Sequence, residues 1–394
     1  MRRPAIEATA APPLRAAIAT ADSLIAAAIG TLTPGAVFLV AMDGKVVHQR
    51  AFGYAQLEDF ERRRVAHPPQ MDMHTMFDLA SVTKVMATTM ATMLLVDRGQ
   101  IDLDSPVCRY LPDFRGPHLD SITVRHLLQH SAGLVQWQPL YYHASSRPQT
   151  YGVIRDMPLG WGVGEARHYS DLGFMLLGYI VERVSGQRLD RFLESNLYQP
   201  LGLRSTAFKP REHGFSQFAA TEPGNTYERH MVYDSTFGYR YPGDPTAWNG
   251  WRQRVLIGEV DDGNSYYANG GIAGHAGLFS TASDLHVLLD LLLDGGSRDG
   301  RQYIRPATIA AFLSLDKYQN FLGWQSPGYL PKGSFAHNGF TGTYVAGVPR
   351  YGLAIVLLTN RQNMGTDQRG YFPDVGPLQQ AVTRAIVAGA AGNP

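Results

Sequence analysis

The stretch Phe77-Asp78-Leu79-Ala80-Ser81-Val82-Thr83-Lys84 decides the fold, and the run that follows it, residues 85–98, contains neither proline nor glycine. Apolar residues cover most of that run, so we predict a buried helix that ends with Gly99 in the C′ position. Ser81 then lies at the N-terminus of the helix and Lys84 follows one turn later. Residues three apart share one face of a helix, so the serine hydroxyl and the lysine ammonium can meet.

A serine paired with a lysine suits nucleophilic catalysis. A serine hydroxyl is a weak nucleophile until a base takes its proton. A lysine in a dry site near other positive charge has a lowered pKa and can act as that base or polarise it. The helix N-terminus also brings partial positive charge to an oxyanion at the Ser81 amide. The same motif is compatible with a capping serine and a surface lysine, and a second copy at Ser314 and Lys317 opens no apolar helix.

The composition is ordinary for a soluble globular enzyme. The chain has 394 residues, of which 44% are hydrophobic and 18% charged, and the formal net charge is +1. No global field therefore favours nucleic acid or an acidic membrane, and we expect neither as a partner. Positive charge is nearly all arginine, so Lys84 is one of only five lysines. The single cysteine, Cys108, excludes an internal disulfide, and we expect it to be a small buried side chain.

The N-terminal region lacks the pattern of a targeting segment. No window of about 18 apolar residues exists, so we expect no membrane span. Arg2 and Arg3 are followed by Glu7, by two prolines and by Asp22, which interrupt any signal-peptide core. Residues 14–29 have instead the pattern of an amphipathic helix. We therefore expect a cytoplasmic protein rather than a periplasmic one.

Strand signals lie near both ends of the chain. Residues 35–42 and 45–54 flank Asp43-Gly44, which is a hairpin turn signal. A final helix is predicted over 377–388. Before it, short apolar segments alternate with glycine-rich turns, and we predict strands at residues 321–324, 334–337, 343–348 and 353–358. These segments predict an α+β fold in which one antiparallel sheet is built from both ends of the chain and is flanked by the terminal helices.

The middle of the chain has a different pattern of secondary-structure signals. It contains three predicted helices, the first of them capped by Thr123, and few strand signals. Residues 222–269 lack periodicity and are rich in aromatic residues, which is typical of a long functional loop rather than of disorder. We therefore divide the chain into an α/β domain, residues 1–100 and 270–394, and an inserted, mainly helical lobe, residues 101–269.

Six stretches, taken in order, resemble the serine β-lactamase and penicillin-binding-protein superfamily, in its branch of class C β-lactamases, D,D-peptidases and family VIII esterases. These stretches are residues 33–47, 77–84, 127–134, 168–178, 271–285 and 335–343. The second resembles the nucleophile motif of that family, the fourth its Tyr-x-Asn element and the sixth its His-Thr-Gly or Lys-Thr-Gly motif. The resemblance implies the β-lactamase/transpeptidase-like fold and requires no metal or organic cofactor.

The resemblance also implies a role for individual residues. Ser81 would be the nucleophile and Lys84 would polarise it. Tyr169 would be the partner base, since a phenolate beside a lysine can exist near neutral pH. The backbone amides of Ser81 and Phe340 would form the oxyanion hole.

Four further residues would contact the substrate: Asp171, His337, Asn338 and Gly339. Of these, His337 would flank the nucleophile from the edge of the sheet. Asp171 stands where the family has asparagine, and an ionised carboxylate can only accept hydrogen bonds. Asn338 stands for a threonine, and His337 for the lysine of true lactamases, so the fixed charge that would meet a β-lactam carboxylate is weaker. These departures predict inefficient β-lactamase activity.

Other residues allow a structural or a functional interpretation. His275 lies in a glycine-rich turn without metal-ligand spacing, so we expect a structural hydrogen bond rather than a metal site. Asp261, Asp262 and Asn264 belong either to a structural turn or to the rim of the substrate site. Of five aromatic residues near the Tyr169 motif, we expect one or two to line a pocket and the others to pack. They are Trp137, Tyr141, Tyr142, Tyr151 and Trp161.

We predict a serine hydrolase that forms an acyl-enzyme on Ser81 and hydrolyses a small ester or amide. It would act as a carboxylesterase or as a D-amino-acid or muropeptide peptidase or amidase, with weak β-lactamase activity. Two alternatives use the same acyl-enzyme. One is an acyltransferase with an acceptor other than water, and the other is a penicillin-binding protein that stays acylated. The sequence does not specify the oligomeric state.

Overall fold

A computed structural model describes residues 10–239 and 241–392; the residues Arg2, Arg3 and Glu7, on which the targeting prediction partly depends, lie outside this range. The helices are Pro12–Ala28 (α1), Thr89–Asp97 (α2), Val124–Leu128 (α3), Arg147–Asp156 (α4), Asp171–Ser185 (α5), Leu189–Leu193 (α6), Thr226–Tyr233 (α7), Ala282–Leu293 (α8), Pro306–Phe312 (α9) and Gly376–Ala391 (α10). The strands are Gly35–Met42 (β1), Lys45–Gly53 (β2), Phe77–Asp78 (β3), Ala207–Phe208 (β4), Ala220–Pro223 (β5), Val255–Ile257 (β6), Leu278–Ser280 (β7), Ser297–Arg298 (β8), Arg301–Gln302 (β9), Phe335–Asn338 (β10), Thr343–Val348 (β11) and Leu353–Thr359 (β12).

The main sheet has five antiparallel strands in the order β10-β11-β12-β1-β2. Strand β1 pairs with β12, with Val40 opposite Ile355, so the two ends of the chain meet in the middle of the sheet. Side chains of β1 alternate between the two faces, and both faces are buried: Phe38 lies on one side and Leu39 on the other. The predicted α+β fold, with a sheet built from both chain ends, is confirmed.

The terminal helices cover one face of this sheet. Leu14, Ile18 and Ile25 recur on one side of α1 and are buried together with Phe38 and with Ile386 of α10. Such spacing is that of an amphipathic helix that packs on a core. Each of these side chains stabilises the fold by about 1.5–3 kcal/mol through burial. The predicted flanking helices are therefore confirmed.

The segment that carries Ser81 is hydrogen-bonded to strand β7, which is distant in the sequence. Asp78 of β3 pairs with Phe279 of β7. Just beyond the pair, the Leu79 amide donates to the carbonyl of Leu278 at 3.0 Å, and the Leu278 amide donates to the hydroxyl of Thr83 at 3.1 Å. Strand β7 therefore holds both sides of the turn that presents Ser81.

The helix after Ser81 begins at Val82, and residues Lys84–Thr88 form a wide π-helical turn before α2. Gly99 follows the helix with a φ of +69°, in the left-handed region that favours glycine. The predicted buried helix and its terminal glycine are confirmed, whereas the π-helical turn is a feature that the apolar pattern does not predict. Such turns occur frequently at functional sites.

Two local predictions are wrong. Residues 321–324 are buried but form no strand: the amide of Leu322 donates to Phe312 at 3.0 Å, and Gly323 has a φ of +79°, which bends the chain out of an extended conformation. The aromatic segment 222–269 is not wholly loop, because it contains α7 and β6.

The inserted segment shares its core with the rest of the molecule. Leu127 and Leu172 belong to the same buried cluster as Leu39 and Val85. The boundaries of an α/β domain and a helical lobe therefore stay a prediction. Among the helices over the described residues, none is long and apolar enough to cross a membrane.

Candidate active site

Ser81 and Lys84 are in direct contact, as their spacing predicts. Lys84 Nζ lies 3.0 Å from Ser81 Oγ, and the lysine is fully buried. Ala80, directly before the serine, has a φ of +45°, which is uncommon for a residue with a side chain. Its amide donates to Asp78 Oδ1 at 2.9 Å, which helps to hold this strained backbone.

The ammonium of Lys84 has three oxygen neighbours. It donates to Ser81 Oγ at 3.0 Å and to the carbonyl of His275 at 3.2 Å, and it forms an ion pair with Asp171 Oδ1 at 2.7 Å. Burial alone would lower the pKa of Lys84, but Asp171 and Tyr169 outweigh it and raise that pKa above its ordinary value. The expectation of a lowered lysine pKa is therefore wrong, because a carboxylate faces the ammonium. Lys84 can polarise Ser81 but is not free to take its proton.

Asp171, for which we expect a contact with the substrate, forms an ion pair with Lys84. It is the first residue of α5, and its side chain is 18% exposed. The family asparagine could not supply the negative charge that this carboxylate supplies. The departure from the family pattern thus favours the ammonium form of Lys84.

Tyr169 lies beside the pair and is held by a histidine that the sequence analysis left without a role. Lys84 Nζ lies 4.9 Å from the centre of the Tyr169 ring. The ring of His130 stacks on Tyr169 at 4.4 Å, and His130 Nδ1 accepts from the Ser170 amide at 3.0 Å. Burial lowers the pKa of His130 well below its usual value, so this histidine is neutral. Tyr169 is therefore positioned by stacking and by the turn that starts α5.

Two backbone amides are available for an oxyanion. Over the described residues, neither Ser81 N nor Phe340 N donates a hydrogen bond. Arg361 fixes the second one, because its Nε and Nη2 both donate to the carbonyl of Phe340, at 2.9 and 2.7 Å. A Cβ on Gly339 would collide with the Leu79 carbonyl, so only glycine lets the end of β10 approach the serine turn this closely.

The stretch 335–343, which resembles the His-Thr-Gly or Lys-Thr-Gly motif, contributes no positive charge. His337 is buried in β10, the edge strand, with its ring centre 6.2 Å from that of Tyr169. Burial, followed by the charge of Lys84, lowers the pKa of His337 to about 3, so the ring is neutral. Asn338 is exposed, and its Oδ1 accepts from Gln325 at 3.4 Å. The expected weakening of the charge in this motif is thus a complete loss at neutral pH.

A cavity of about 250 Å³ opens above Ser81. Tyr169, Asp171 and Phe340 line it with the serine, whereas His337, Asn338 and Gly339 do not. Of the five aromatic residues considered from the sequence, Trp137 alone lines this cavity. The others pack or pair elsewhere; for example, Trp161 stacks on His168 at 3.7 Å and Tyr151 donates to Asp113 at 2.8 Å.

The remaining cavity wall is acidic. Asp261, Asp262 and Glu228 line it together with His275. His275 Nε2 lies 2.8 Å from Asp262 Oδ1, so the predicted structural hydrogen bond of this histidine is confirmed. Asn264 does not line the cavity, and its Oδ1 accepts from the Leu140 amide at 2.8 Å. Of the three residues considered for the rim, the two aspartates face the site and the asparagine is structural.

Residues 21–373 match the beta-lactamase family. The chain belongs to that family. A protein of Bacillus subtilis (strain 168) named N-acetylmuramyl-L-alanine amidase is 35% identical over 87% of this chain and 80% of its own length. A protein of Salmonella agona (strain SL483) with the provisional name D-alanyl-D-alanine carboxypeptidase is 34% identical over 83% and 79%. The solved structure of EstCE1, a hydrolase with promiscuous acyltransferase activity, superposes with a TM-score of 0.69 at 23% identity, covering 96% of this chain and 100% of that chain.

As a member of the beta-lactamase family, the chain is a serine hydrolase, and the likeness to EstCE1 shows the shared fold. The family motifs point to Ser81 and Lys84, and the matched stretch 127–134 includes His130 without giving it a role. Two other residues escape the motifs. Glu228 and Arg361 have no sequence signal, because their contacts join segments far apart in the chain.

Proposed function

We propose that the protein hydrolyses amide bonds of cell-wall peptide fragments through an acyl-enzyme on Ser81. The observation that carries the proposal is the 3.0 Å contact between Ser81 Oγ, which lines the cavity, and a fully buried lysine held as an ammonium. The names of the two relatives, an amidase and a carboxypeptidase, support an amide substrate of the cell wall.

Each of these residues has a separate role in the proposed reaction. Ser81 Oγ attacks the carbonyl carbon, and its proton passes to Tyr169 acting as a phenolate, because the Lys84 ammonium has no free lone pair to accept it. The amides of Ser81 and Phe340 donate to the oxyanion of the tetrahedral intermediate. Tyr169 then gives the proton to the leaving nitrogen, the carbon–nitrogen bond breaks, and the acyl group stays on Ser81. In the second half-reaction the Tyr169 phenolate takes a proton from water, and the hydroxide attacks the acyl carbon. The bond between that carbon and Ser81 Oγ then breaks, and Tyr169 returns the proton to Ser81 Oγ as the acid leaves.

Of the two alternatives, the penicillin-binding protein is the less favoured. A β-lactam carries a carboxylate, and neutral His337 and exposed Asn338 offer it no cation. The acyltransferase shares every step up to the acyl-enzyme and differs only in the acceptor. Product yield with and without an added alcohol or amine distinguishes it from a hydrolase.

Turnover of p-nitrophenyl acetate and of an alanyl p-nitroanilide tests the proposal. We expect Ser81→Ala to lose at least about a thousandfold in kcat. Ser314→Ala is the matched control, because Ser314 belongs to the second, exposed copy of the motif. Full turnover by the Ser81→Ala variant would overturn the proposal. A cytoplasmic location also remains a proposal, which cell fractionation tests.

A further inference from the structure

The cavity above Ser81 is lined by four acidic side chains. Asp171, Glu228, Asp261 and Asp262 line it, and no lysine or arginine among the described residues does so. Lys84 is fully buried beside Ser81 and does not line the cavity, and its ammonium is already directed at Ser81, Asp171 and a carbonyl. The wall is therefore rich in hydrogen-bond acceptors and lacks a cation of its own.

We propose that this cavity is a subsite for a primary ammonium group of the substrate, held by Asp262 and Glu228 close to the scissile carbonyl. The inference rests on the proposed function, because it names the substrate class of the same site. The substrate would be an aminoacyl compound with a free α-amino group, or a peptide in which a diamino acid presents its side-chain amine.

Asp262 offers an oxygen without a donor. Its Oδ1 accepts from the Ser265 amide at 2.6 Å and from His275 Nε2 at 2.8 Å. Its Oδ2 makes no hydrogen bond to a described residue, and 18% of the side chain is exposed. Burial would raise the pKa of Asp262, but the contacts with His275 and Ser265 lower it, so the carboxylate stays ionised. An ionised carboxylate with an open oxygen is the natural partner of an ammonium.

A buried polar atom without a partner lies in the same wall. His275 is only 1% exposed, lines the cavity, and its Nδ1 has no hydrogen-bond partner among the described residues. In the neutral tautomer that donates Nε2–H to Asp262, Nδ1 presents a lone pair. A buried polar atom left without a partner costs about 1–3 kcal/mol. A ligand that brings N–H donors removes this cost, whereas a ligand carboxylate does not.

Glu228 adds a carboxyl group that forms no ion pair with a described residue. Its Oε1 accepts from the Gly263 amide at 2.7 Å and its Oε2 from the Tyr141 hydroxyl at 2.9 Å. Burial, with the charge of Asp262, raises the pKa of Glu228 to about 8. Glu228 therefore holds a proton in the empty cavity, and a bound ammonium would favour its release.

The chemistry of the wall selects an ammonium among cations. Within the described residues, no group of three His, Cys, Asp or Glu side chains could hold a metal ion. A primary ammonium is a compact charge with three donors, which matches separate single acceptors better than the fork of a guanidinium does. Trp137 and Tyr239, whose ring centres are 5.9 Å apart, supply aromatic faces for the attached carbon atoms.

Two matched pairs of substrates test the inference and distinguish the source of the ammonium. The first pair is alanyl p-nitroanilide and lactyl p-nitroanilide, each as D and L isomers, in which a hydroxyl replaces the ammonium. The second pair is N-acetyl-lysyl and N-acetyl-norleucyl p-nitroanilide. We expect kcat/KM to be at least about tenfold higher for the ammonium member of one pair. Ratios near one in both pairs would overturn the subsite.

Variants of Asp262 and Glu228 test whether these carboxylates cause the preference for an ammonium substrate. We expect Asp262→Asn and Glu228→Gln each to reduce the ammonium-to-neutral ratio of kcat/KM severalfold. Glu61→Gln is the matched control, because it removes the same charge from a side chain that is 66% exposed, and it should keep the ratio. A ratio that both cavity variants leave at the wild-type value would contradict the assignment.

An inhibition experiment on the wild-type protein avoids any folding defect of the variants. We expect n-butylammonium, but not n-butanol, to compete with p-nitrophenyl acetate. Equal inhibition by both compounds would refute the ammonium subsite while leaving the proposed function intact. Hydrolysis of p-nitrophenyl acetate that survives in Ser81→Ala would instead refute the proposed function. The two failures are therefore separate results.

Discussion

The Nζ atom of Lys84 lies 2.7 Å from Oδ1 of Asp171, and the lysine has no exposed surface. Removal of one partner of a buried ion pair leaves an uncompensated charge and costs about 3–5 kcal/mol. The pair also keeps the lysine protonated beside Ser81, so that Tyr169 is left as the group that can move a proton. In the proposed mechanism, this relationship leaves Lys84 to polarise the nucleophile and Tyr169 to act as the base.

Replacement of Asp171 with asparagine should shift the pH dependence of catalysis. The charge that raises the pKa of Lys84 is lost, and burial, which lowers this pKa, remains. Lys84 then loses its proton at lower pH, so we expect the alkaline limb of kcat/KM to move down by about one unit or more. Profiles of p-nitrophenyl acetate hydrolysis for the wild type, Asp171→Asn and the exposed control Asp104→Asn measure this. An alkaline limb at the wild-type position in Asp171→Asn would contradict it.

Replacement of Arg361 with methionine should weaken the oxyanion hole. Both nitrogens that hold the Phe340 carbonyl are lost, so the adjacent amide is less well aimed. Loss of a whole oxyanion donor costs about 10²–10³ in kcat, and we expect misalignment to cost about tenfold, with a smaller change in KM. Steady-state kinetics check this, with Arg369→Met as control because that side chain is 80% exposed. An effect on KM alone would show that Arg361 does not position the amide.

Asp78 should make stability depend on pH. Burial, followed by the charge of Asp261, raises the pKa of Asp78 to about 7 in the folded protein. Between pH 4 and 7 the folded state keeps a proton that the unfolded state releases, so the free energy of unfolding falls as pH rises, by up to about 1.4 kcal/mol per unit. Asp78→Asn removes this contribution. We expect the difference in unfolding free energy between wild type and variant to fall from pH 5 to 7 and to level off above it.

Urea unfolding at pH 5, 6, 7 and 8 measures that difference. Buried histidines such as His337, whose pKa is lowered, act in the opposite sense below about pH 6.5. They are present in both proteins and cancel in the comparison. A difference that does not change with pH would contradict the raised pKa of Asp78.

Two penicillins should differ in the rate at which they acylate the protein. Ampicillin adds a primary ammonium to the side chain of benzylpenicillin, and both carry the carboxylate that neutral His337 does not attract. If the cavity accepts the ammonium, the gain of about 1 kcal/mol corresponds to about fivefold faster acylation by ampicillin. Intact-protein mass against time at pH 7 measures both rates. Faster acylation by benzylpenicillin would contradict the proposed charge preference.

The local features of the site follow from the sequence, and its long-range contacts do not. The meeting of Ser81 and Lys84 depends on helical spacing, which is a property of the chain over four residues. The pair between Lys84 and Asp171 depends on how α5 packs against that helix, so its effect on the lysine pKa is invisible in a motif. The sequence shows that Asp171 replaces the family asparagine, but it does not show that Asp171 contacts Lys84.

The same distinction applies to the fold. The strands β1 and β12 are predicted by apolar runs and a turn signal, and their pairing follows from the need to bury both faces. Residues 321–324 have the same apolar character without the same outcome, because Gly323 adopts a positive φ that residues around it impose. The acidic cavity wall could not be predicted, since Glu228 joins it through α7, a helix of 8 residues within the segment 222–269 that the sequence pattern indicates as a loop.

The most direct test of the central claim is to locate the acyl group after rapid mixing with p-nitrophenyl acetate and acid quenching. We predict one acetyl group on the peptide that contains Ser81, present in the wild type and in Ser314→Ala and absent in Ser81→Ala, which also loses turnover. An acetyl group of equal yield on another residue, or undiminished turnover by Ser81→Ala, would contradict an acyl-enzyme at this serine.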